Sequence, residues 1–439
     1  MTTKKSKSKI NFAAMFSVLI MIVTLSIIAR ADAVTDWNQR AVTYAATGGR
    51  PGPTWVLDVA VVQLAVYDAV QAIEGDYQPY CGNIPGASGS TAAATARAAR
   101  DVLINRFPAQ AVAINADYNA YVAAIPAADP GFTVGAASSQ CMITIRTGDG
   151  AFPAGWPAFI GSTDIGQWRA TPAPFTFSWL PDVTPFTLRA GDQLRAGPPP
   201  KLTSPEYTRA YNEVKSLGSL TGSDRTPDQT DLANFWNGNF PGQFNAVARG
   251  LVISQGLSIS ESSRLLALVD VSMADAMITA WDSKVHYNFW RPISAIHFGD
   301  DDGNSKTDGD AAWAPFVGTP PYSDHTSGAN SLAASSTRAL SLFFDTNEMT
   351  FQVATTNPGP TVNDIRSYTK FSEVRDEVED ARILQGIHFR FADRDARKQG
   401  EHVAQWVYGH YFRPVEEKFA THSFDVETFL LGFRMPIGK

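Results

Sequence analysis

The sequence predicts an all-α fold built as two halves, each a helical bundle. Three observations lead to this class. Apolar residues recur every three or four positions through most of the chain, which is the period of an amphipathic helix. Two segments begin with a helix-capping residue followed by proline, at Ser204-Pro205 and Thr226-Pro227. Segments that alternate apolar and polar residues, as strands do, are few.

The first 31 residues have the pattern of a secretory signal peptide. A basic stretch from Lys4 to Lys9 precedes an apolar run from Phe12 to Ile28, and Ala29-Arg30-Ala31 follows. The apolar run is longer than the usual ~7–15 residues, so an uncleaved anchor helix is the alternative. We expect residues 1–31 to be a signal peptide, a secreted or periplasmic location, and no stable membrane insertion after its removal.

Residues 32–200 are expected to form the N-terminal half. An apolar stripe marks a helix from Trp55 to Ile73, and Ala/Val-rich helical stretches follow at residues 91–102 and 110–124. From Ala151 to Pro200 the chain is rich in Pro, Phe, Trp and Gly and has no steady period. A loop of this length is unusual unless it covers something, so we expect a connection that wraps between the two halves.

Residues 201–439 are expected to form a second helical half that carries the functional site. The longest helical pattern runs from Glu261 to Trp290 and stops before Arg291-Pro292, as helices usually do before proline. Later helices are expected to start near Ser327 and near His388.

Composition and charge exclude several classes of protein. Charged residues make up 18% of the 439 residues and aromatic residues 11%, which rules out a disordered chain or a coiled coil. The formal net charge is -7, and no Lys/Arg-rich run follows the N-terminus. Nucleic acid is therefore not expected as a partner, and any bound anion needs a local cluster of cations. For the two cysteines, Cys81 and Cys141, a disulfide and two buried thiols are both open.

Two cations lie seven residues apart in the first of three C-terminal motifs. Lys284 and Arg291 belong to the segment Lys-Val-His-Tyr-Asn-Phe-Trp-Arg-Pro. Seven residues are about two helical turns, so we expect both charged groups on one face of a helix. A solvated surface pair is the usual alternative, but the flanking Trp281, Phe289 and Trp290 favour a buried position.

The second and third motifs add a helix start and a histidine. Ser327-Gly328 opens a helix after a proline-rich turn, and the N–H groups and hydroxyl at a helix N-terminus suit an oxyanion. Arg382 and His388 would miss each other by about a third of a turn on one straight helix. Gly386 lies between them and is the expected break that brings them together.

In combination and order, the three motifs resemble those of the vanadium-dependent haloperoxidases and the related type 2 phosphatidic acid phosphatases. The clear resemblance covers residues 203–413 and is closest to the exported haloperoxidases. It implies a caged oxyanion, either vanadate or phosphate. By motif match, the cations neutralise its oxygens, the Ser–Gly pair donates hydrogen bonds, and the histidine bonds vanadium or attacks phosphorus. The implied cofactor-binding residues are Lys284, Arg291, Ser327, Gly328, Arg382 and His388, the last also being the metal ligand.

One position departs from the family's pattern. In the family the Ser–Gly pair is usually followed by a histidine that acts as acid and base on the apical oxygen, but here the residue is Ala329. His325, four residues upstream, could fold back over the site and transfer the proton. Asn330 could instead hold a water there, although it does not titrate. His388, His325 and Asn330 are therefore the candidate catalytic residues.

The resemblance implies three functions in order of preference. The first is a haloperoxidase-like oxidoreductase that uses vanadate and hydrogen peroxide to oxidise a halide. The second is an acid phosphatase that acts on a phosphate ester through His388 and needs no cofactor. The third is a non-catalytic phosphate or vanadate binder, which the alanine at position 329 makes credible. Halide preference, organic substrate and oligomeric state, a homodimer included, are left open.

Overall fold

The structure is a computed structural model, and it describes residues 32–171, 174–357, 359, 361 and 363–416. The expected signal peptide at residues 1–31 lies outside the described residues. The all-α prediction is confirmed, since helices account for 57% of the structure and strands for 6%.

Thirteen α-helices lie within the described part of the chain, and the predicted helices are among them. The first five are α1 (Ala33–Thr47), α2 (Val56–Glu74), α3 (Thr91–Arg106), α4 (Ala111–Val122) and α5 (Gly131–Arg146). The next five are α6 (Pro205–Leu217), α7 (Pro227–Phe235), α8 (Phe240–Gln255), α9 (Ile259–Tyr287) and α10 (Pro292–His297). The last three are α11 (Gly328–Phe343), α12 (Phe371–Leu384) and α13 (Arg390–His410).

The helix-start signals form the expected caps. The Ser204 side chain accepts a hydrogen bond from the Tyr207 backbone N–H at 3.2 Å and begins α6. Thr226 and Gln229 begin α7 with a reciprocal capping box, at 3.2 and 2.9 Å. Side chains that satisfy these N–H groups stabilise a helix by about 1 kcal/mol each, which explains why the starts can be predicted locally.

A two-stranded antiparallel hairpin was not predicted from the sequence. Strand β1 (Glu348–Ala354) pairs with β2 (Ile365–Lys370), with Phe351 opposite Tyr368. Their rings lie 5.5 Å apart, and the Phe351 ring also packs 5.2 Å from Phe371 at the start of α12. The strands are short and alternate buried and exposed residues over only part of their length, so their period-two signal is weak.

Helices α2 and α9 lie at the centre of the protein. Residues 54–71 and 262–284 are buried without interruption, because both helices are surrounded by others. The segment 52–74 is long and apolar enough to cross a membrane by composition alone, but 89% of its most apolar window is buried inside the protein. This segment is therefore a helix of the protein core.

The main hydrophobic core is shared by both halves of the chain. It contains Trp37 on α1, Val62 on α2, Leu268 on α9 and Val407 on α13. A smaller cluster around Tyr207 packs beside it. The division at residues 200 and 201 remains a prediction from sequence.

The long connection between the halves lies against α9, as its length and composition suggest. Asp275 on α9 accepts backbone hydrogen bonds from Phe186 at 2.7 Å and Thr187 at 2.8 Å. Further along α9, the indole N–H of Trp281 donates to the carbonyl of Thr176 at 3.2 Å. These bonds hold the connection over the C-terminal end of α9, where the first motif begins.

Cys81 and Cys141 form a disulfide, which decides between the two alternatives left open by the sequence. Their Cα atoms are 6.3 Å apart, within the range that a disulfide spans. The bond joins the segment after α2 to α5. It therefore ties a loop of the N-terminal half to the helices of the core.

Replacing both cysteines by serine is expected to lower the free energy of unfolding by about 2–5 kcal/mol. The disulfide links residues 60 positions apart, and without it the unfolded chain regains the conformational entropy of that loop. Denaturant titration of the oxidised wild type and the double-serine variant measures the change. Reduced wild type serves as the control and should show the same loss, whereas equal stability of all three would contradict the prediction.

Candidate oxyanion site

The two cations of the first motif come together through a turn rather than through helix periodicity. Lys284 lies in the last turn of α9, which ends at Tyr287. Asn288 then adopts the left-handed region, with a φ of 47°, a conformation that Asn tolerates better than most residues. Arg291 lies beyond the helix, at the start of α10. The expectation that both cations share one helical face is therefore wrong.

Both cations are fully buried and hold the main chain of the second motif. Lys284 Nζ donates to the carbonyl oxygens of Ser323 and Asp324, at 2.8 and 3.0 Å. Arg291 Nε donates to the carbonyl oxygen of Tyr322 at 2.6 Å. The first motif thus fixes the turn that leads into the second, because each buried donor needs a partner.

The second motif begins α11 at Ser327, whose hydroxyl does not cap its own helix. Instead, the amide of Asn330 donates to Ser327 Oγ at 3.3 Å and to the carboxyl of Asp393 at 2.7 Å. The next residue, Gly328, lies against Trp281, and a Cβ at this position would be 2.9 Å from the indole ring. Glycine is therefore required for the positive end of the α11 dipole to lie this close to Trp281.

The third motif contains the break that its spacing requires. Helix α12 ends at Leu384, and Gly386 has a φ of 78°. A Cβ on Gly386 would lie 2.3 Å from the carbonyl oxygen of Gly218, so a side chain is excluded by both conformation and contact. After this break His388 meets the first motif, since Arg291 Nη1 lies 3.0 Å from its Nε2.

A cavity of about 360 Å³ opens onto this cluster. Gly328, Arg382 and His388 line it, whereas Lys284, Arg291 and Ser327 are fully buried and contact the lining residues from behind. The other lining residues are Gly52, Pro53, Asn237, Gly238, Asn239, Phe240, Trp281, Tyr322, Ala329, Leu332 and Thr356. The structure thus brings the three motifs to one place.

Burial and mutual repulsion control the charges of the cluster. Burial lowers the pKa of Lys284 well below its usual value, and the Arg291 charge lowers it further. Burial also lowers the pKa of Arg382, to about 10. For His388, burial is again the largest cause, followed by the charges of the three cations, and the pKa falls well below its usual value. His388 is therefore neutral near pH 7, and the cations would be stabilised by an anion between them.

Two buried carboxyl groups in the cluster were missed by sequence reasoning. Asp324 Oδ1 lies 2.7 Å from His388 Nδ1 and 3.8 Å from Arg291 Nη1. Burial raises the pKa of Asp324 to about 7, and that of Asp393 well above its usual value. Asp324 lies in a turn three residues before Ser327, and Asp393 lies in the first turn of α13. Acidic residues are common in turns and at helix starts, so the sequence does not mark these two as members of a site.

The structure places His325 outside the cavity lining, contrary to the expectation that it folds over the site. Its Nε2 lies 2.9 Å from the carbonyl oxygen of Gly197 in the long connection, and its ring packs near Tyr287 and Phe391. Burial lowers the pKa of His325 to about 4, so its imidazole is neutral near pH 7. The turn before Ser327 directs this side chain toward the connection, which the sequence could not show.

Asn330 is also absent from the cavity lining among the described residues. It is buried and bridges Ser327 and Asp393, as described above. This arrangement holds the Ser327 hydroxyl in place and leaves no exposed amide for a water in the cavity. Ala329, in contrast, lines the cavity directly.

The residues present fit an oxyanion such as vanadate. Arg291 Nη2 and Arg382 Nε are buried and have no hydrogen-bond partner among the described residues. Unpaired buried donors of this kind are costly, and an oxyanion supplies the acceptors that they lack. The neutral imidazole of His388 lines the same cavity and offers a nitrogen lone pair.

Fold and site define an all-α protein in which buried cations and a neutral histidine meet at one cavity. Comparison with known proteins confirms the resemblance seen in the motifs. Residues 264–417 match the family described as the VCPO second helical-bundle domain. The chain is 31% identical over 152 residues to the vanadium chloroperoxidase of Curvularia inaequalis. This match covers 28% of the chain and 24% of that relative, so the chain spans about a quarter of the relative's length.

Solved structures share the fold over most of the chain. A bacterial vanadium-dependent iodoperoxidase aligns with a TM-score of 0.71 at 20% identity, covering 87% of this chain and 96% of its own. A holo-type bacterial vanadium-dependent chloroperoxidase aligns with a TM-score of 0.67 at 15% identity, covering 82% and 94%. The fold is therefore the helical-bundle fold of the vanadium haloperoxidases.

Proposed function

We propose that the protein is an exported haloperoxidase-like oxidoreductase that uses vanadate and hydrogen peroxide to oxidise a halide. The observation that carries the proposal is the cluster itself: Arg382 and the neutral His388 line one cavity, and Lys284 and Arg291 are buried behind them. Export is supported by the signal pattern of residues 1–31 and by the disulfide, which is typical of oxidising compartments.

Each residue of the cluster has a role that follows from its position. Bound vanadate would supply the Lewis acid that activates hydrogen peroxide. Arg291 and Arg382 carry the unpaired buried N–H groups that would bind its oxygens. Gly328 leaves room at the N-terminus of α11, and His388 would bond the vanadium through its lone pair. Trp281 and Tyr322 line the cavity with aromatic rings and reduce its access to water.

A phosphatase and a binder remain the alternatives, and Ala329 is the observation that favours the binder. The same cations would stabilise a transferring phosphoryl group, with the neutral His388 as nucleophile. Either reaction needs a proton donor, and the cavity has alanine where the family usually has histidine. A site without that donor would bind the anion but catalyse neither reaction rapidly.

Parallel assays of purified protein test the proposal. Halide oxidation is measured with vanadate and hydrogen peroxide, and phosphate ester hydrolysis is measured without vanadate. Activity only in the first assay is the expected result. Hydrolysis alone would support the phosphatase, and anion binding without either activity would support the binder.

Replacing Ala329 by histidine is expected to raise halide turnover by roughly 10²-fold, since general acid–base catalysis is worth ~10²–10⁴-fold. Ala329 lines the cavity in the first turn of α11 and is partly exposed, so a larger side chain can extend into the cavity. Ala329→Gln is the control, because glutamine has a similar reach but does not titrate. An equal rise in both variants, or no rise in Ala329→His, would contradict the prediction.

A further inference from the structure

Asp324 contacts the histidine of the cluster. Its carboxyl is fully buried, and Oδ1 lies 2.7 Å from His388 Nδ1, off the line of the N–H bond. Arg291 lies near both groups, with Nη1 3.8 Å from the carboxyl and 3.0 and 3.4 Å from Nε2 and Nδ1 of His388. The imidazole is therefore placed between an acceptor and a donor.

This arrangement distinguishes the two tautomers of a neutral imidazole. The guanidinium of Arg291 can only donate, and it lies near both ring nitrogens, so it does not choose between the tautomers. Asp324 Oδ1 lies 2.7 Å from Nδ1, so the carboxyl acts on this one nitrogen. A carboxylate oxygen at this distance would repel a nitrogen lone pair but attract an N–H. Asp324 thus favours the tautomer that carries its proton on Nδ1.

We propose that Asp324 is a positioning residue, which selects the Nδ1–H tautomer of His388 and so leaves the Nε2 lone pair for the central atom of a bound oxyanion. Carboxylates behind metal-ligating histidines have this effect in proteins generally, and their loss typically costs 10–100-fold in affinity. The proposal rests on the proposed function for the identity of the anion, but the tautomer can be measured without it.

Removing Asp324 has two opposing effects, which two variants separate. Any neutral replacement removes an acidic group 3.8 Å from Arg291. Where that group is ionised, its loss should tighten the binding of every anion. Asp324→Asn has this effect alone, because its amide oxygen can still accept from Nδ1–H. Asp324→Ala also removes the acceptor, and it should weaken only an anion that needs the Nε2 lone pair. Vanadate needs this lone pair, whereas phosphate at equilibrium does not.

Calorimetric titration with vanadate and with inorganic phosphate gives the ratio of the two affinities for each protein. In Asp324→Asn we expect both affinities to rise and their ratio to match that of the wild type. In Asp324→Ala we expect the affinity for vanadate, divided by the affinity for phosphate, to fall by about 10-fold or more. Equal ratios in all three proteins would overturn the proposal.

Nitrogen NMR of histidine-labelled protein measures the tautomer directly. The His388 signals are assigned by their loss in His388→Gln. We expect Nδ1–H in the wild type and in Asp324→Asn, and a mixture with Nε2–H in Asp324→Ala. Nε2–H in the wild type would overturn the proposal, even if Asp324→Ala does not fold.

Asp275→Asn is a matched control for the loss of a buried carboxyl. Asp275 lies on the same helix as Lys284 but nine residues earlier, and it binds the backbone of the long connection. This variant should leave both the tautomer and the affinity ratio unchanged. If the wild type binds neither anion, the proposed function fails, whereas the tautomer measurement still decides the role of Asp324.

Discussion

Replacing Arg382 by alanine is expected to weaken the binding of both vanadate and phosphate by roughly 10²- to 10³-fold. This corresponds to about 3–4 kcal/mol of binding free energy, within the range for removing one member of a buried charge pair. Arg382 lines the cavity, and its Nε is buried without a partner among the described residues. Its pKa of about 10 keeps it charged at neutral pH.

The effect should fall on both anions because Arg382 interacts with oxygen charge rather than with the central atom. Calorimetric titration of each anion into the wild type and Arg382→Ala measures the loss. Arg382→Lys should recover part of the affinity, since it keeps the charge but not the planar pair of donors. A loss confined to one anion would contradict this assignment.

Arg264→Ala is the matched control for the Arg382 variant. Arg264 is equally buried, with 8% of its surface exposed, and it lies near the other end of α9. It donates to the carbonyl oxygen of Phe412 at 2.8 Å and does not line the cavity. Its removal should cost stability but leave anion affinity unchanged, which separates a local charge effect from a general loss of folding.

Replacing His388 by alanine is expected to lower vanadate-dependent turnover by ~10³-fold or more, since removal of a group that bonds the reacting centre has effects of this size. Phosphate affinity should change by less than about tenfold, because the three cations that neutralise the oxygens remain. Halide oxidation and calorimetry with phosphate are measured on the same preparation. Unchanged turnover would show that His388 does not bond the cofactor.

The His325→Ala variant is an informative control for the His388 experiment. His325 is also a buried histidine, but it contacts the carbonyl oxygen of Gly197 and lies outside the cavity lining. From this geometry its removal should leave turnover nearly unchanged. A fall of ~10²–10⁴-fold would instead restore the acid–base role that the sequence suggested for it.

The nature of each local element could be predicted because its cause lies within a few residues. The caps at Ser204 and Thr226 and the break at Gly386 depend on neighbouring backbone groups and on φ alone. The apolar periodicity of α2 and α9 also follows from consecutive residues. Locally determined signals of this kind predicted the fold class, whereas the six site residues were predicted from the resemblance of the three motifs to a known family.

Features that depend on several distant segments could not be predicted. Two-turn spacing wrongly placed Lys284 and Arg291 on one helix, whereas the turn at Asn288 brings them together. The direction of the buried His325 side chain, away from the cavity, depends on the connection at Gly197, 128 residues earlier in the chain. The hairpin β1–β2 depends on packing against α12, which a short and weakly alternating strand does not reveal.

The sequence by itself determined the class of fold, the helix boundaries near their caps, and the residue types that an oxyanion site requires. Only the tertiary structure decided which side chains meet at the cavity, that Cys81 bonds Cys141, and that Asp324 contacts His388. The physical reason is the separation along the chain of the residues that interact. Hydrogen bonds of caps and turns join residues a few positions apart, whereas burial, charge coupling and ring orientation depend on every segment that packs around a group.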